Sequence, residues 1–244
     1  MASGFKELDY QETPLGAISL RQRPEPRLGG QVLYEVKLGD EFLMSSLFTE
    51  AEIQLSKLAL TALADLDGDE RDIVVGGLGL GYTALAALED DSVRRLTVIE
   101  VMAPVIDWHR RGLVPIGDAL ATDSRCELVH ADFFALASSG QGFDPSDSSR
   151  HHHAVLLDID HSPSHWLNPG NAQFYTESSL ESLIHRLVPG GIFGLWSNDP
   201  PERAFTTLLE SVFASVEEHV VTFPNPYTGG ESANTVYLAY TRGS

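Results

Sequence analysis

The chain has 244 residues and a formal net charge of −19, because 35 acidic residues outnumber 16 basic ones. This charge argues against a general nucleic-acid-binding protein, since an acidic surface repels phosphates, and it is compatible with a small cationic substrate. Apolar residues make up 43% of the chain. That share excludes a wholly disordered protein and supplies a core for one large domain with a small appendage.

Cys126 is the only cysteine in the sequence, so we expect neither an internal disulfide nor a cysteine-bound metal. No apolar run approaches the roughly 20 residues that a membrane helix needs. The first residues also lack the basic and then apolar pattern of a signal peptide. We therefore expect a cytoplasmic protein with no membrane partner.

Residues 1–46 are predicted to form a small N-terminal β appendage. Short runs typical of strands are separated by Pro and Gly turns, and Gly39-Asp40 lies between two of these runs as a hairpin turn would. The predicted strands cover residues 15–21, 32–37 and 41–44.

A helix is predicted over residues 49–66, where leucines and an isoleucine recur on one face. Thr49 with Glu52 three residues later fits a capping box, which predicts that both side chains bond to the backbone of the first turn. Gly68 is expected to end the run.

Residues 47–244 are predicted to form a second domain, an α/β Rossmann-like, doubly wound and mostly parallel sheet. Short apolar strands alternate with helical segments, as in βαβ units. A Pro- and Gly-rich loop between the last two strands predicts a C-terminal antiparallel hairpin. The predicted strands are 72–75, 96–99, 128–129, 154–159, 192–196, 216–223 and 235–241, and the predicted helices are 81–90, 103–112, 133–138, 174–188 and 201–214.

The segment 138–153 is rich in Ser, Gly, Asp and His and is interpreted as an exposed loop. It ends in His151, His152 and His153. Three adjacent histidines at the start of a strand cannot all face one ion, because successive side chains point to opposite faces. We therefore predict no metal site.

A glycine-rich turn is the sharpest motif of the sequence. The strand ending at Val75 runs into Gly76-Gly77-Leu78-Gly79-Leu80-Gly81, which opens a helix. Glycine permits positive φ and lets a ligand approach the backbone, and the N-terminus of the following helix offers free amides. Gly77, Gly79 and Gly81 are therefore candidate nucleotide-binding residues, although a tight strand-to-helix turn without a ligand would use the same glycines.

Acids follow the next two strands. Glu100 ends a strand about 20 residues after the glycines, where a carboxylate can accept both ribose hydroxyl groups. Asp132 follows another strand and can accept a hydrogen bond from an adenine amino group, or cap the next helix, or do both. Phe133 can cover the ring. Because ligands of open α/β sheets lie at the carboxyl edge, these residues predict a nucleoside site there.

Both NAD and S-adenosylmethionine are bound by this layout. The Gly-x-Gly-x-Gly spacing, the Asp132-Phe133 pair and the closing hairpin favour S-adenosylmethionine or a derivative of it. An NAD-dependent enzyme stays an alternative.

Most of the chain, from Glu12 to Tyr240, resembles spermidine synthase and the other aminopropyltransferases. The resemblance rests on the glycine turn, the strand ending in Glu100-Val101, the strand that ends in Asp158, and Pro189-Gly190-Gly191 before the fifth strand. It implies that Val101 helps Glu100 to bind ribose, that Asp158 is catalytic, and that the protein is a homodimer. Less complete versions of these motifs occur in class I methyltransferases.

The sequence departs from the aminopropyltransferase pattern at three places. Leu80 stands where those enzymes carry an aspartate that holds the free amine of the donor. Met44-Ser45-Ser46 replaces a Tyr-His-Glu segment. His161 replaces a carboxylate three residues after the catalytic aspartate.

Transfer from a sulfonium donor needs a positioned and deprotonated nucleophile. A carboxylate at the sheet edge can orient an amine and receive its proton, and Asp158 is the best candidate. Asp160 and His161 follow it on the same loop and can assist, His161 because an unperturbed imidazole titrates near neutral pH. Trp166 and Glu12 are candidates for contacts with the acceptor.

The leading hypothesis is a transferase that uses S-adenosylmethionine or its decarboxylated form and moves an aminopropyl group to an amine acceptor, a polyamine by resemblance. A small-molecule methyltransferase is the alternative within the same fold. Loss of the donor-amine carboxylate at Leu80 favours a further alternative, a non-catalytic homologue that binds a nucleoside.

Overall fold

The computed structural model describes residues 4–139, 142–144 and 146–243. Gly140, Gln141 and Pro145 of the predicted loop 138–153, together with residues 1–3 and 244 at the ends of the two predicted domains, lie outside the described residues. Among the described residues, none of the helices combines the length and the apolar character that crossing a bilayer requires.

The N-terminal segment forms a four-stranded antiparallel sheet. The strands are β1 (Lys6–Thr13), β2 (Gly16–Glu25), β3 (Gln31–Leu38) and β4 (Glu41–Ser45), paired in the order β1-β2-β3-β4, with a 3-10 turn over Pro26–Leu28. Gly39 adopts a φ of 58° in the β3–β4 connection, which confirms the predicted hairpin.

Strand β1 was not predicted from the sequence. Its residues alternate between exposed and half-buried positions without a buried apolar side chain, and it pairs with one neighbour only, β2. Ile18, Leu20 and Val36 on β2 and β3 provide the buried face instead. A polar edge strand of this kind carries no apolar alternation that a sequence pattern could reveal.

Helix α1 (Glu50–Ala62) ends four residues before the predicted terminus at Leu66, and the predicted capping box is wrong. Thr49 occupies the N-cap position, but its side chain makes no capping hydrogen bond. Glu52 makes no hydrogen bond to the backbone amide of Thr49 either, because its side chain is turned inward and buried.

A seven-stranded sheet forms the rest of the fold. Its strands are β5 (Arg71–Gly76), β6 (Val93–Glu100), β7 (Cys126–His130), β8 (His152–Leu157), β9 (Leu187–Ser197), β10 (Ser215–Asn225) and β11 (Gly230–Tyr240). The order is β10-β11-β9-β8-β5-β6-β7, parallel from β9 to β7 and antiparallel at β10 and β11. The predicted α/β class, mostly parallel sheet and terminal hairpin are therefore confirmed.

Helices cover both faces of this sheet. They are α2 (Tyr82–Leu88), α3 (Ala103–Arg110), α4 (Gly117–Thr122), α5 (Phe133–Ser138), α6 (Glu177–Ile184) and α7 (Arg203–Val212). One buried cluster lies on the side of α1 and α2, and the other lies on the side of α5, α6 and α7. The short helix α4 was not predicted, since a single turn and a half shows little periodicity.

The strand order reverses between β5 and β8. From β5 the chain moves outward to β6 and β7, and it then returns to β8 on the other side of β5. Crevices outside the carboxyl ends of the strands at such a point are where open α/β sheets bind ligands. The fold therefore predicts a ligand site at the segments that follow β5, β6 and β8.

His152 makes the stability of the fold sensitive to acid. The side chain is 1% exposed, neither ring nitrogen has a hydrogen-bond partner among the described residues, and burial lowers the pKa to about 4. In the unfolded chain the same group titrates near 6.5. Between these values the unfolded state binds the extra proton, so the free energy of unfolding falls as the pH drops from about 6.5 to 4.

The free energy of unfolding falls between pH 7 and pH 5, and we expect His152→Phe to make this fall smaller by about 2 kcal/mol. Urea unfolding at both pH values measures it. The exposed neighbour provides the control, because His151→Phe should leave the acid sensitivity unchanged. Equal acid sensitivity in wild type and His152→Phe would contradict the assignment.

Candidate active site

A cavity of about 850 Å³ opens at the carboxyl edge of the parallel sheet. Its lining combines segments that follow β5, β6 and β8 with the inner face of the N-terminal sheet and with the β10–β11 hairpin. Small-molecule sites in proteins commonly measure about 300–1,000 Å³. The cavity is therefore large enough for a nucleoside and a second small molecule.

The predicted glycines of the turn lie in the cavity lining and have positive φ, 96° at Gly77, 47° at Gly79 and 92° at Gly81. Protein atoms occupy the space that side chains would need. A Cβ at Gly77 would collide with the carbonyl oxygen of Asp158, and one at Gly79 with the sulfur of Met44. The close packing of the turn thus explains these glycines without a ligand.

Met44 closes part of the turn. Its Sδ accepts a hydrogen bond from the backbone amide of Leu80 at 3.0 Å, and the Leu80 side chain is fully buried in the core. A pyrophosphate bound in a dinucleotide fold uses free amides of this turn. The contact of Met44 with this turn therefore disfavours the NAD-dependent alternative.

Glu100 anchors the turn from the end of β6. Its Oε2 accepts from the Leu78 amide at 3.0 Å and its Oε1 accepts from the Met102 amide at 2.8 Å. The side chain is 6% exposed and lines the cavity. Burial raises the pKa of the carboxyl, and the backbone amides act in the opposite direction. Glu100 therefore lies in the cavity lining, and its contact with a ribose stays a prediction.

The predicted adenine-side residues meet at the same part of the cavity. Asp132 caps α5, since its Oδ1 accepts from the amides of Phe134 at 2.9 Å and Ala135 at 3.2 Å. Phe133 is 1% exposed and stacks on Phe143, with ring centroids 5.2 Å apart. Val101 is exposed, and all three predicted residues line the cavity together with Phe134.

Asp158 lies directly after β8, at the centre of the lining. Its Oδ2 accepts from the hydroxyl of Thr83 at 2.7 Å, and its backbone amide donates to the Gly76 carbonyl. Burial raises the pKa of the carboxyl to about 6, with the Thr83 hydrogen bond opposing the shift. At neutral pH this group is an ionised acceptor whose pKa is close to that of an efficient general base.

Glu52 is the acid that the sequence analysis missed as a site residue. It is 6% exposed, it lines the cavity, and its Oε2 has no hydrogen-bond partner among the described residues. Burial raises the pKa of Glu52 to about 8, and the charge of Asp158 adds to the shift. One signal was available: Glu52 lies three and seven residues before Leu55 and Ala59, on the buried face of α1.

Asp160 holds the loop after β8 rather than facing the cavity. Its Oδ1 accepts from the Leu167 amide and from Asn171 Nδ2, and its Oδ2 accepts from the Tyr175 hydroxyl, each at 2.8 Å. The side chain is 3% exposed and is absent from the described lining. These three donors account for its carboxylate, so the predicted catalytic role has no support in the geometry.

His161 lies at the rim of the cavity. Its Nε2 is 2.9 Å from Oε1 of Glu41 on β4, so this contact joins the loop after β8 to the N-terminal sheet. Both side chains are partly exposed. His161 can reach a bound substrate from this rim, and its catalytic role stays a prediction.

The two residues predicted to contact the acceptor lie elsewhere. Trp166 donates from Nε1 to the Pro163 carbonyl at 2.8 Å and stacks against Tyr175. Glu12 lies on exposed β1, where it accepts from the Tyr10 hydroxyl at 2.8 Å. Neither residue is among those that line the cavity, so their contacts with an acceptor stay predictions without geometric support.

Apolar side chains complete the cavity. Phe42 and Leu38 come from the N-terminal sheet, and Phe223 comes from β10. Trp196 lies on β9, and its indole N–H has no partner among the described residues. Within the described ranges, no group of three or more His, Cys, Asp or Glu side chains is placed to hold a metal ion. The cavity thus combines apolar walls with the carboxylates of Asp158 and Glu52.

The strand order, the glycine turn and the acids at the carboxyl ends of β6, β7 and β8 define a Rossmann-like α/β fold. No family model matches the chain. Its sequence is 29% identical over 187 residues to polyamine aminopropyltransferase 2 of Pseudomonas aeruginosa, which covers 74% of this chain and 48% of that protein. The chain spans about half the length of this curated relative.

Solved structures agree with the sequence match. Spermidine synthase from Thermotoga maritima superposes with a TM-score of 0.72 at 16% identity, over 98% of this chain and 74% of that chain. A spermidine synthase in complex with the transition state analogue AdoDATO gives a TM-score of 0.71 at 15% identity, over 98% and 73%. The chain therefore has the fold of these spermidine synthase structures, as the sequence resemblance indicated.

Proposed function

We propose that this protein transfers an aminopropyl group from decarboxylated S-adenosylmethionine to a small amine acceptor. The observation that carries the proposal is Asp158, a carboxylate with a pKa of about 6 at the centre of an 850 Å³ cavity on the ligand-binding edge of the sheet. The similarity to a polyamine aminopropyltransferase supports the reaction class.

The donor nucleoside is placed along the carboxyl edge in this proposal. Glu100 accepts hydrogen bonds from the ribose hydroxyls, with Val101 beside it, and Asp132 accepts one from the adenine amino group. Phe133 and Phe134 form the apolar floor under the base. The sulfonium and its propyl chain then point toward Asp158.

The reaction needs a neutral amine in line with the carbon–sulfur bond. The nitrogen lone pair attacks the propyl carbon next to sulfur, the carbon–sulfur bond breaks, and its electron pair returns to sulfur, which gives methylthioadenosine. The attacking nitrogen loses one proton, and Asp158 receives it. Phe42, Leu38 and Phe223 provide apolar surface for the methylene groups of a polyamine and exclude water from the attack.

Methyl transfer from S-adenosylmethionine is the second candidate. Leu80 is fully buried, so the glycine turn places no carboxylate near the amino end of the donor. An acid at this place would repel the carboxylate of S-adenosylmethionine. Its absence therefore favours S-adenosylmethionine as the donor.

Product analysis decides between the two reactions. The protein is incubated with either donor and a panel of polyamines, and the products are identified by mass spectrometry. We expect methylthioadenosine together with an acceptor that has gained an aminopropyl group. Methylated acceptors together with S-adenosylhomocysteine would establish the second candidate. A protein that forms neither product and binds no nucleoside in calorimetry would be the non-catalytic homologue.

Two further parts of the proposal, a polyamine as the acceptor and a homodimer, follow from the family resemblance. The cytoplasmic location and the two domains divided between residues 46 and 47 follow from the sequence pattern. Sedimentation measures the oligomeric state, and limited proteolysis near residue 47 tests the domain boundary.

A further inference from the structure

Glu52 is a buried carboxylate that the proposed reaction has not yet used. It comes from α1, outside the segments that carry the predicted nucleoside site, and its Oε2 lacks a partner among the described residues. Neither lysine nor arginine forms a described ion pair with it. Burying a carboxylate oxygen without a partner is unfavourable. Such a group at a cavity wall is placed to receive a ligand.

Its position fixes which ligand group it can reach. Ser56, one helical turn after Glu52, donates from Oγ to the Thr83 carbonyl at 2.7 Å and so holds α1 against the start of α2. Thr83 in turn donates to Asp158. Burial raises the pKa of the Tyr82 hydroxyl, and the charge of Glu52 adds to this shift. Glu52 therefore lies where the glycine turn enters α2, beside Asp158.

Two carboxylates at this end of the cavity match two cationic groups. The proposed donor carries a free ammonium at the end of its aminopropyl chain, and the acceptor brings the attacking amine. Asp158 serves the attacking amine at the reacting carbon. The donor ammonium lies farther along the chain and needs a second acceptor, which Leu80 in the glycine turn cannot provide.

We propose that Glu52 binds the free ammonium group of the donor and thereby selects decarboxylated S-adenosylmethionine over S-adenosylmethionine. This inference rests on the proposed function. A donor that keeps its carboxylate would bring a further negative charge next to Glu52 and Asp158. The acid on α1 thus replaces, from a different element, the function that a carboxylate in the turn would have.

Binding is expected to move a proton. Burial and the charge of Asp158 raise the pKa of Glu52 above its usual range, which favours the protonated form in the free protein. An ammonium group beside it favours the ionised form. Binding of the decarboxylated donor therefore releases a proton, which calorimetry detects as a binding enthalpy that depends on the ionisation enthalpy of the buffer.

The test compares the binding of three nucleosides, decarboxylated S-adenosylmethionine, methylthioadenosine and S-adenosylmethionine, to three proteins. Decarboxylated S-adenosylmethionine carries the ammonium group, and methylthioadenosine lacks it. We expect Glu52→Gln to weaken binding of the former on the order of 10- to 100-fold, to abolish the proton release, and to leave the affinity for methylthioadenosine unchanged. The wild-type preference for the decarboxylated donor over S-adenosylmethionine should fall by a similar factor.

Glu50→Gln is the matched control on the same turn of α1. Glu50 is exposed, and its Oε1 accepts from Gln54 at 2.9 Å, so its replacement should change neither affinity. Folding is checked by thermal melting, where Glu52→Gln should melt higher than wild type because a buried carboxyl has been removed.

Three results would overturn the inference. An equal loss of affinity for decarboxylated S-adenosylmethionine and for methylthioadenosine would show a structural role for Glu52. Unchanged affinity for the decarboxylated donor would show that Glu52 does not contact it. In both cases wild-type binding and turnover would leave the proposed function intact. A wild-type protein that binds neither of these two nucleosides would overturn the proposed function as well.

Discussion

Replacing Asp158 by Asn is expected to lower turnover about 100- to 10,000-fold, the range that a general base contributes. The amide keeps the shape of the side chain and can accept from the Thr83 hydroxyl, which bonds to Asp158 at 2.7 Å, but it cannot take a proton from the attacking amine. Methylthioadenosine binding should stay within a factor of a few, since Asp158 lies beyond the nucleoside. Steady-state kinetics and calorimetry measure the two quantities.

The pH dependence separates a base from a structural acid. With a pKa of about 6 for Asp158, turnover should fall as the pH drops through 6, because the carboxylate becomes protonated. Thr83→Val removes the hydrogen bond that favours the ionised form of Asp158. The fall in turnover should therefore occur at higher pH, and activity should be kept at alkaline pH. Wild-type rates in Asp158→Asn would remove this residue from the mechanism.

Replacing Glu100 by Ala should weaken methylthioadenosine binding by about 1–3 kcal/mol, the value of charge-assisted hydrogen bonds. The structure adds a second expected effect. The amides of Leu78 and Met102 would lose their acceptor, so the melting temperature should fall as well. Calorimetry on the folded variant, below its melting transition, isolates the binding effect.

Glu100→Gln is the companion variant for this residue. Its amide oxygen can satisfy one backbone donor, so it should recover part of the stability but little of the affinity. If Glu100→Ala binds the nucleoside as tightly as wild type, the ribose assignment is wrong and the side chain serves only to hold the turn.

The parallel sheet was predictable because its strands are continuous apolar runs between helical segments, and because glycines and acids mark where strands end. Glu100 and Asp132 were found in this way, since the carboxyl ends of parallel strands converge on one edge, whereas Asp158 was indicated by the family resemblance. The rule depends only on chain direction and alternation, so it needed no knowledge of side-chain contacts.

Two site residues escaped the sequence analysis for physical reasons. Glu52 follows Thr49 at the spacing of a capping box, and that local pattern hid an acid whose side chain is turned toward the cavity. Met44 belongs to the N-terminal sheet, and its contact with the Leu80 amide joins residues 36 positions apart. Tertiary packing decides which wall of the cavity the N-terminal sheet forms. No local spacing of residues in the sequence encodes that packing.

The crowding around Gly77 and Gly79 has a consequence for sorting related genes. Because a backbone carbonyl of the protein itself excludes a side chain at Gly77 and the φ of both glycines is positive, a descendant that had lost all chemistry would still favour glycine at both positions. A buried acid such as Glu52 gives the opposite signal, since without a cation to receive it only weakens the molecule. Position 52 is therefore the better marker for telling working enzymes from inactive duplicates.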